Sequence, residues 1–254
     1  MQNFLTTDRR SNTLPMFPTT QAQIYLESLR GRFEADGFRS FRTFNFQEYS
    51  AADRGPFGTL DVLNDEVLMP ECSHELHVEQ FCQVILFPVM GAIEIEERGK
   101  EPKFINAGEV LFLLVSPDRH YTITNPYPDE AINYLQIRVN DGPFLSTPMS
   151  LSGINISFDL NEKNVLLPVR GYHGSSAHLY IGQYDGRAEG IFTSWNADHA
   201  AFIFVIEGAF EVQNRLLERR DGLALRNAET VEFEALSNAA ILLVIDLGFV
   251  KDEN

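Results

Sequence analysis

Cysteine is scarce in this chain, basic residues are outnumbered, and no long apolar run occurs. Cys72 and Cys82 are the two cysteines in 254 residues, too few for a disulfide framework, and a reduced cytoplasmic protein is the expectation. Lys and Arg total 20 against 36 Asp and Glu, a formal charge of −16. Such a chain lacks the basic stripe that releases counterions from a nucleic-acid backbone, so direct nucleic-acid binding is not expected. No run reaches the roughly 18 apolar residues that a membrane-spanning helix needs. The opening Met1–Thr7 has no charged segment leading into an apolar one, which speaks against a secretion signal. A Gly-rich phosphate loop, a serine nucleophile elbow and a zinc-type cysteine pairing are also missing.

Apolar residues are not scarce. They make up 44% of the chain and include 20 Phe, enough for two buried cores. One signature occurs twice: Val89-Met90-Gly91-Ala92-Ile93-Glu94-Ile95 is echoed by Ile206-Glu207-Gly208-Ala209-Phe210-Glu211-Val212. Each copy follows an apolar run, Val84–Phe87 or Phe202–Val205. Each precedes a second glycine, Gly108 or Gly222, and each half closes on an apolar strand, Tyr134–Val139 or Ile241–Leu247. A self-match at this long period marks a duplicated unit. Short, evenly spaced β runs separated by Gly, Pro, Asn and Asp point to barrels, not to an α/β fold. The expectation is therefore an all-β protein of two tandem jelly-roll barrels, a bicupin. Residues 1–23 form an extension, 24–140 the first barrel, 141–164 a linker marked by Gly142, Pro143, Pro148 and Gly153, and 165–254 the second barrel. On propensity alone, Gln21–Ala35 could pass for an amphipathic helix.

Phe41-Arg42-Thr43-Phe44-Asn45-Phe46-Gln47-Glu48-Tyr49, then Phe57–Val67, the Gly91 turn, the Ala107-Gly108-Glu109 turn and Leu135-Gln136-Ile137 carry a resemblance to the pirin family, in particular its bacterial pirin-like bicupins. The likeness spans roughly residues 24 to 248. It implies a strand at Ile24-Tyr25-Leu26 and a loop at Arg30–Gly37 in place of the helix.

The family resembles metal-dependent cupins, whose N-terminal barrel supplies a His-x-His pair and a Glu from one strand segment and a His-x-Glu from a later one. Counted back from Gly91, His77 and Glu79 stand where the paired histidines would be, and Gln83 where the Glu would be. His120 matches the later histidine and Thr122 replaces the acid. Odd residues from 77 to 83 on one strand would share a face, so His77, Glu79, Gln83 and His120 are expected to point together into the first barrel. Two readings follow. His77, Glu79 and His120 could form a two-His-one-carboxylate triad for Fe(II) or another divalent transition metal. Gln83 and Thr122 are poor replacements for ionised ligands, which favours a barrel with a reduced or absent metal site and no cofactor.

His74, three residues from His77, falls on the opposite face and reads as a loop residue, and Cys82 faces away from His77. His173, His178 and His199 in the second half read as structural, and Glu94, Glu96 and Glu97 as a solvated edge. The function expected is binding of a small molecule, aromatic or apolar, in the N-terminal barrel, or regulation through a protein partner, as the family's link to transcriptional control implies. The other reading is a metal-dependent dioxygenase resembling quercetin 2,3-dioxygenase.

Overall fold

The computed structural model describes residues 20–117, 119–140, 153–195 and 200–248. In the first half the strands are β1 Gln21–Tyr25, β2 Gly31–Ala35, β3 Phe38–Arg42, β4 Leu60–Leu68, β5 Ser73–Leu76, β6 Cys82–Met90, β7 Ile93–Glu97, β8 Lys103–Ile105, β9 Glu109–Val115, β10 Tyr121–Thr124 and β11 Ile132–Val139. In the second they are β12 Ile154–Ser157, β13 Leu167–Val169, β14 Ala177–Tyr184, β15 Glu189–Thr193, β16 Ala200–Glu207, β17 Phe210–Val212, β18 Arg215–Leu217, β19 Gly222–Arg226, β20 Thr230–Ala235 and β21 Ala240–Leu247. A single 3-10 turn, Glu27–Leu29, is the only helix among the described residues. The protein is an all-β bicupin.

Each barrel packs a large sheet against a four-stranded one. The first pairs β12-β9-β6-β11-β4-β3-β2 with β5-β10-β7-β8, and the second pairs β1-β19-β16-β21-β14-β13 with β15-β20-β17-β18. The repeated sequence signature marks equivalent turns: Gly91 and Gly208 both hold the left-handed backbone, with φ of 77° and 78°, which glycine adopts without steric cost. Three apolar clusters follow from strand alternation. One fills the N-terminal barrel, one fills the C-terminal barrel, and the third joins the outer faces of the two large sheets through residues such as Phe44, Ile85, Phe87, Phe202 and Phe204.

The halves exchange strands. β1 pairs with β19 in the second barrel's sheet, and β12 pairs with β9 in the first barrel's sheet. The first of these strands straddles the boundary expected near residue 23, and the second lies inside the stretch expected to be a linker. Arg30–Gly37, expected as a loop, contains β2, whose ladder with β3 runs from Gly31–Arg42 to Ala35–Phe38.

The barrels are also joined by a buried ion cluster. The Asp65 carboxylate lies 3.3 Å from Arg220 Nε and 3.6 Å from Arg30 Nη1. Asn133 donates to Asp65 over 2.6 Å and accepts from Arg220 over 2.9 Å. Burial pulls the Arg30 guanidinium down to about 10, against the opposing pull of Asp65.

Candidate functional site in the N-terminal barrel

The structure separates the residues that counting from Gly91 grouped together. β5 ends at Leu76 and β6 starts at Cys82, so residues 77–81 lie outside any strand. The break resets the alternation. Leu76, Val78 and Cys82 belong to the barrel core, whereas His77 and Glu79 are exposed. Leu76 and Tyr121 are the last pair of the β5–β10 ladder, and His77 and His120 both follow at that end, exposed. Thr122 pairs with Glu75 on one side and Glu96 on the other, on the outer face. Gln83 is fully buried but faces the second barrel, where its Oε1 accepts from Ser175 Oγ over 2.8 Å. The expected inward group is therefore not assembled: His77 and His120 share one end of an outer ladder, Glu79 stands in the connection, and Gln83 belongs to the inter-barrel seam. Among the described residues, no group of three or more His, Cys, Asp or Glu side chains could hold a metal ion. The residues present do not fit the facial triad.

Other expectations change for the same reason. His74 lies in β5, on the inward face with Leu76, and stacks on Phe38 at 3.9 Å between ring centroids. Burial lowers its pKa, helped by Arg138 and Arg42. Glu97 is not a solvated edge residue. It shares the inward parity of Ile93 and Ile95 and is 9% exposed, with ion pairs to Lys100 and Arg119. Cys82 turns away from His77 as expected, but into the core. In the second barrel His173 is exposed and His178 meets the Trp195 ring edge-on at 4.2 Å. His199 lies outside the described residues.

The interior of the first barrel carries a polar stripe instead. The ladders set Ser40 against Glu66, Arg42 against Asn64, Glu66 against Tyr134 and Asn64 against Gln136. Directly paired residues share a face, and Tyr134 and Phe38 belong to the barrel core, so the whole row faces inward. The next strand of the same sheet, β6, is apolar on this face, with Val84 beside Arg138 and Leu86 beside Gln136. Glu66 accepts from Asn64 over 3.3 Å and from Ser40 over 3.5 Å. Burial raises the Glu66 pKa, opposed by Tyr134, Asn64, Arg138 and Arg42. Tyr134 is pushed well above its ordinary value by burial and by Glu66.

Two guanidinium groups close the stripe at the barrel mouth. Arg42 donates to Phe46 O, Gln47 Oε1 and Glu48 Oε2 over 2.8–3.1 Å. Arg138 donates to the His77 carbonyl and lies 2.8 and 2.9 Å from the Gln136 amide oxygen. Both stack on the Phe46 ring, with centroid distances of 5.1 and 5.0 Å. Asp61, beside Arg138, is pushed up to about 6 by burial, although Arg138 pulls it down. Asn64 Oδ1 and Arg42 Nε are buried and make no hydrogen bond of good geometry, an arrangement that costs free energy until a partner arrives. Sequence reasoning missed this stripe. Its signal was present: polar residues at two-residue spacing, Asn64 and Glu66 in β4 and Gln136 and Arg138 in β11, within strands whose other positions are mostly apolar.

Comparison with known proteins now bears on the whole chain. Residues 175–247 match the quercetinase C-terminal cupin domain. A protein of Pasteurella multocida named for quercetin 2,3-dioxygenase activity is 20% identical over 217 residues, which cover 81% of this chain and 90% of that protein. The structure of bacterial pirin YhhW from Escherichia coli, in complex with nickel(II), superposes with a TM-score of 0.79 at 18% identity, covering 91% of this chain and 100% of the other. Quercetin 2,3-dioxygenase from Acinetobacter baumannii gives a TM-score of 0.66 at 14% identity, over 89% and 78% of the two chains. With its second cupin domain matched, a relative aligned along most of its length and the two-barrel fold shared, the chain is similar to the pirin-family bicupins.

Proposed function

We propose that this protein is a small-molecule-binding or regulatory bicupin whose ligand chamber is the polar interior of the N-terminal barrel, and that it is not a metal-dependent dioxygenase. The observation that carries the reading is the buried stripe with unsatisfied atoms on Asn64 and Arg42. A ligand that bonds these atoms would recover the desolvation cost that each now bears, about 1–3 kcal/mol per group. Arg42 and Arg138 favour a ligand that presents acceptor oxygens, and the apolar wall of Val84 and Leu86 suits a planar or aliphatic body. That refines the aromatic or apolar ligand expected from the sequence.

The dioxygenase is the second reading, favoured by the names of the relatives and by the nickel in YhhW. Its proposed ligands His77 and His120 stand at one ladder end, but a third donor does not join them. Metal analysis of protein purified without a histidine tag, combined with a flavonol-cleavage assay, separates the readings. The expected result is substoichiometric metal and little cleavage. Iron, nickel or manganese near one equivalent per chain, lost in His77→Ala or His120→Ala together with cleavage activity, would overturn the proposal.

A further inference from the structure

Duplication gives the seam between the barrels two equivalent corners, and the structure fills them differently. Phe87 and Phe204 stand at the same place in the repeat, each two residues before the shared signature. Each pairs with a leucine of the neighbouring strand, Leu135 in β11 and Leu243 in β21. One strand further out, Asp65 stands opposite Leu135 and Ile181 opposite Leu243. Asn133 and Ile241 correspond in the same way, each opposite the signature's second residue, Met90 or Glu207. In the corner beside Phe204, Asp65 and Asn133 meet Arg220, and Arg30 lies over the Phe204 ring at 5.5 Å. That corner is sealed by charge. In the other, isoleucines stand in place of the Asp and the Asn, and a recess of about 480 Å³ is left open.

Both barrels and the chain that follows β12 bound this recess. Val89, Phe158, Leu160 and Ile241 line it and are half-buried, so each leaves apolar surface open to an occupant. Phe158 stacks on Phe87 at 5.4 Å, and its N–H donates to the Gly108 carbonyl over 2.8 Å, which fixes this wall. Gln183 is half-buried among them, and its side-chain amide has no hydrogen-bond partner among the described residues. The one carboxylate at the recess, Asp159, is exposed and accepts from Asn161 N and Nδ2 over 2.9 and 3.0 Å. None of the residues that line it is basic.

We propose that this recess binds a small uncharged aliphatic molecule with one hydroxyl, its body on Val89, Leu160 and Ile241 and its hydroxyl on the Gln183 amide. A primary amide donates and accepts, so it satisfies both functions of a hydroxyl, and the aliphatic walls take the body out of water. The volume falls within the roughly 300–1,000 Å³ usual for small-molecule sites. A carboxylate would lose its hydration beside Asp159 without gaining a basic partner, in a chain of net charge −16. The proposal stands apart from the reading of the N-terminal barrel, because the two sites share no residue.

Isothermal titration with n-octanol tests it, with octanoate as the anionic counterpart and an octanediol, hydroxylated at both ends, as the chain without an apolar tip. Octanol is expected to bind saturably, at least tenfold tighter than either comparison compound. Ala107→Trp, at the exposed rim, should occupy the recess and weaken binding at least tenfold, and Gln183→Leu should weaken it at least threefold. If Ala107→Trp fails to fold, Ile241→Phe fills the recess from the second barrel's side and should still lose at least threefold. Leu216→Ala, which removes an exposed apolar side chain of β18, should leave binding unchanged. The inference is overturned by an absence of saturable octanol binding, by octanoate or the diol binding as tightly, by recess variants that bind like the parent, or by an equal loss on Leu216→Ala.

Discussion

Replacing Asp65 with Ala tests what holds the two barrels together. Asp65 is the carboxylate that the buried Arg30 and Arg220 share, with side-chain exposures of 9%, 1% and 5%. Arg30 comes from the connection after β1, Arg220 from the second barrel and Asp65 from β4, so one carboxylate neutralises charge from both halves. Its removal leaves two desolvated guanidinium groups with only the weaker pull of Glu27 and Glu207 and leaves the Asn133 amide without one of its acceptors. Breaking a buried pair in this way costs about 3–5 kcal/mol. For a chain of this size each kcal/mol lowers the melting temperature by about 2–4 °C, so a fall of about 6–20 °C is expected. Differential scanning calorimetry at pH 7 measures it. The double variant Asp65→Leu/Arg220→Met, which removes charge from both sides, should recover part of the loss. A fall of less than about 2 °C for Asp65→Ala, or a double variant no better than the single, would refute the view that this cluster is neutralised chiefly by Asp65.

Other outcomes follow from particular residues. The Asp61 pKa, raised to about 6 against its ordinary value near 4, means that the folded state holds the proton more tightly, so this residue's stabilising contribution is complete below about pH 4 and is lost as the pH rises through about 6. Asp61→Asn should therefore gain stability relative to the parent at pH 7 compared with pH 4, and urea midpoints that differ equally at the two values would contradict this. Gly208→Ala forces a left-handed backbone on alanine and sets its Cβ 2.3 Å from Ser237 Oγ, which should cost about 1–3 kcal/mol, measured by urea unfolding. Phe44→Ala removes a ring packed edge-on against Tyr25 and Phe202 at 5.3 and 5.5 Å and should cost about 3–5 kcal/mol, read from the same transition.

The architecture was legible because duplication writes itself into turns. The Gly91 and Gly208 signatures fix equivalent left-handed positions, and no packing detail is needed to see them. The site was not legible by the same route. Counting in twos from Gly91 assumes an unbroken strand back to His77, and the connection 77–81 breaks it. Once the break is placed, Leu76 and Val78 take the interior and His77 and Glu79 the outside. The helix suggested by propensity at Gln21–Ala35 failed for a different reason: β1 gains its hydrogen bonds from β19, far away in sequence, and such a partner is invisible to local preference. Phe46 shows the limit of composition. Nothing in its local sequence reveals that Arg42 and Arg138 both lie on its ring.

The strand exchange has a consequence for synthesis on the ribosome. β1 emerges early but must wait for β19, near the other end of the chain, before its backbone groups are paired, and the β9 edge stays open until β12 has followed. The first barrel's large sheet is not finished when its own half has been translated, and β1 has no partner until the second half is made, so the nascent chain carries unpaired edges that invite pairing with a neighbouring chain. Separate expression of the halves would make that transient state permanent. Slow closure of contacts so distant in sequence makes the late arrival of β19 to β21, not collapse of the first barrel, the step at which this fold becomes complete.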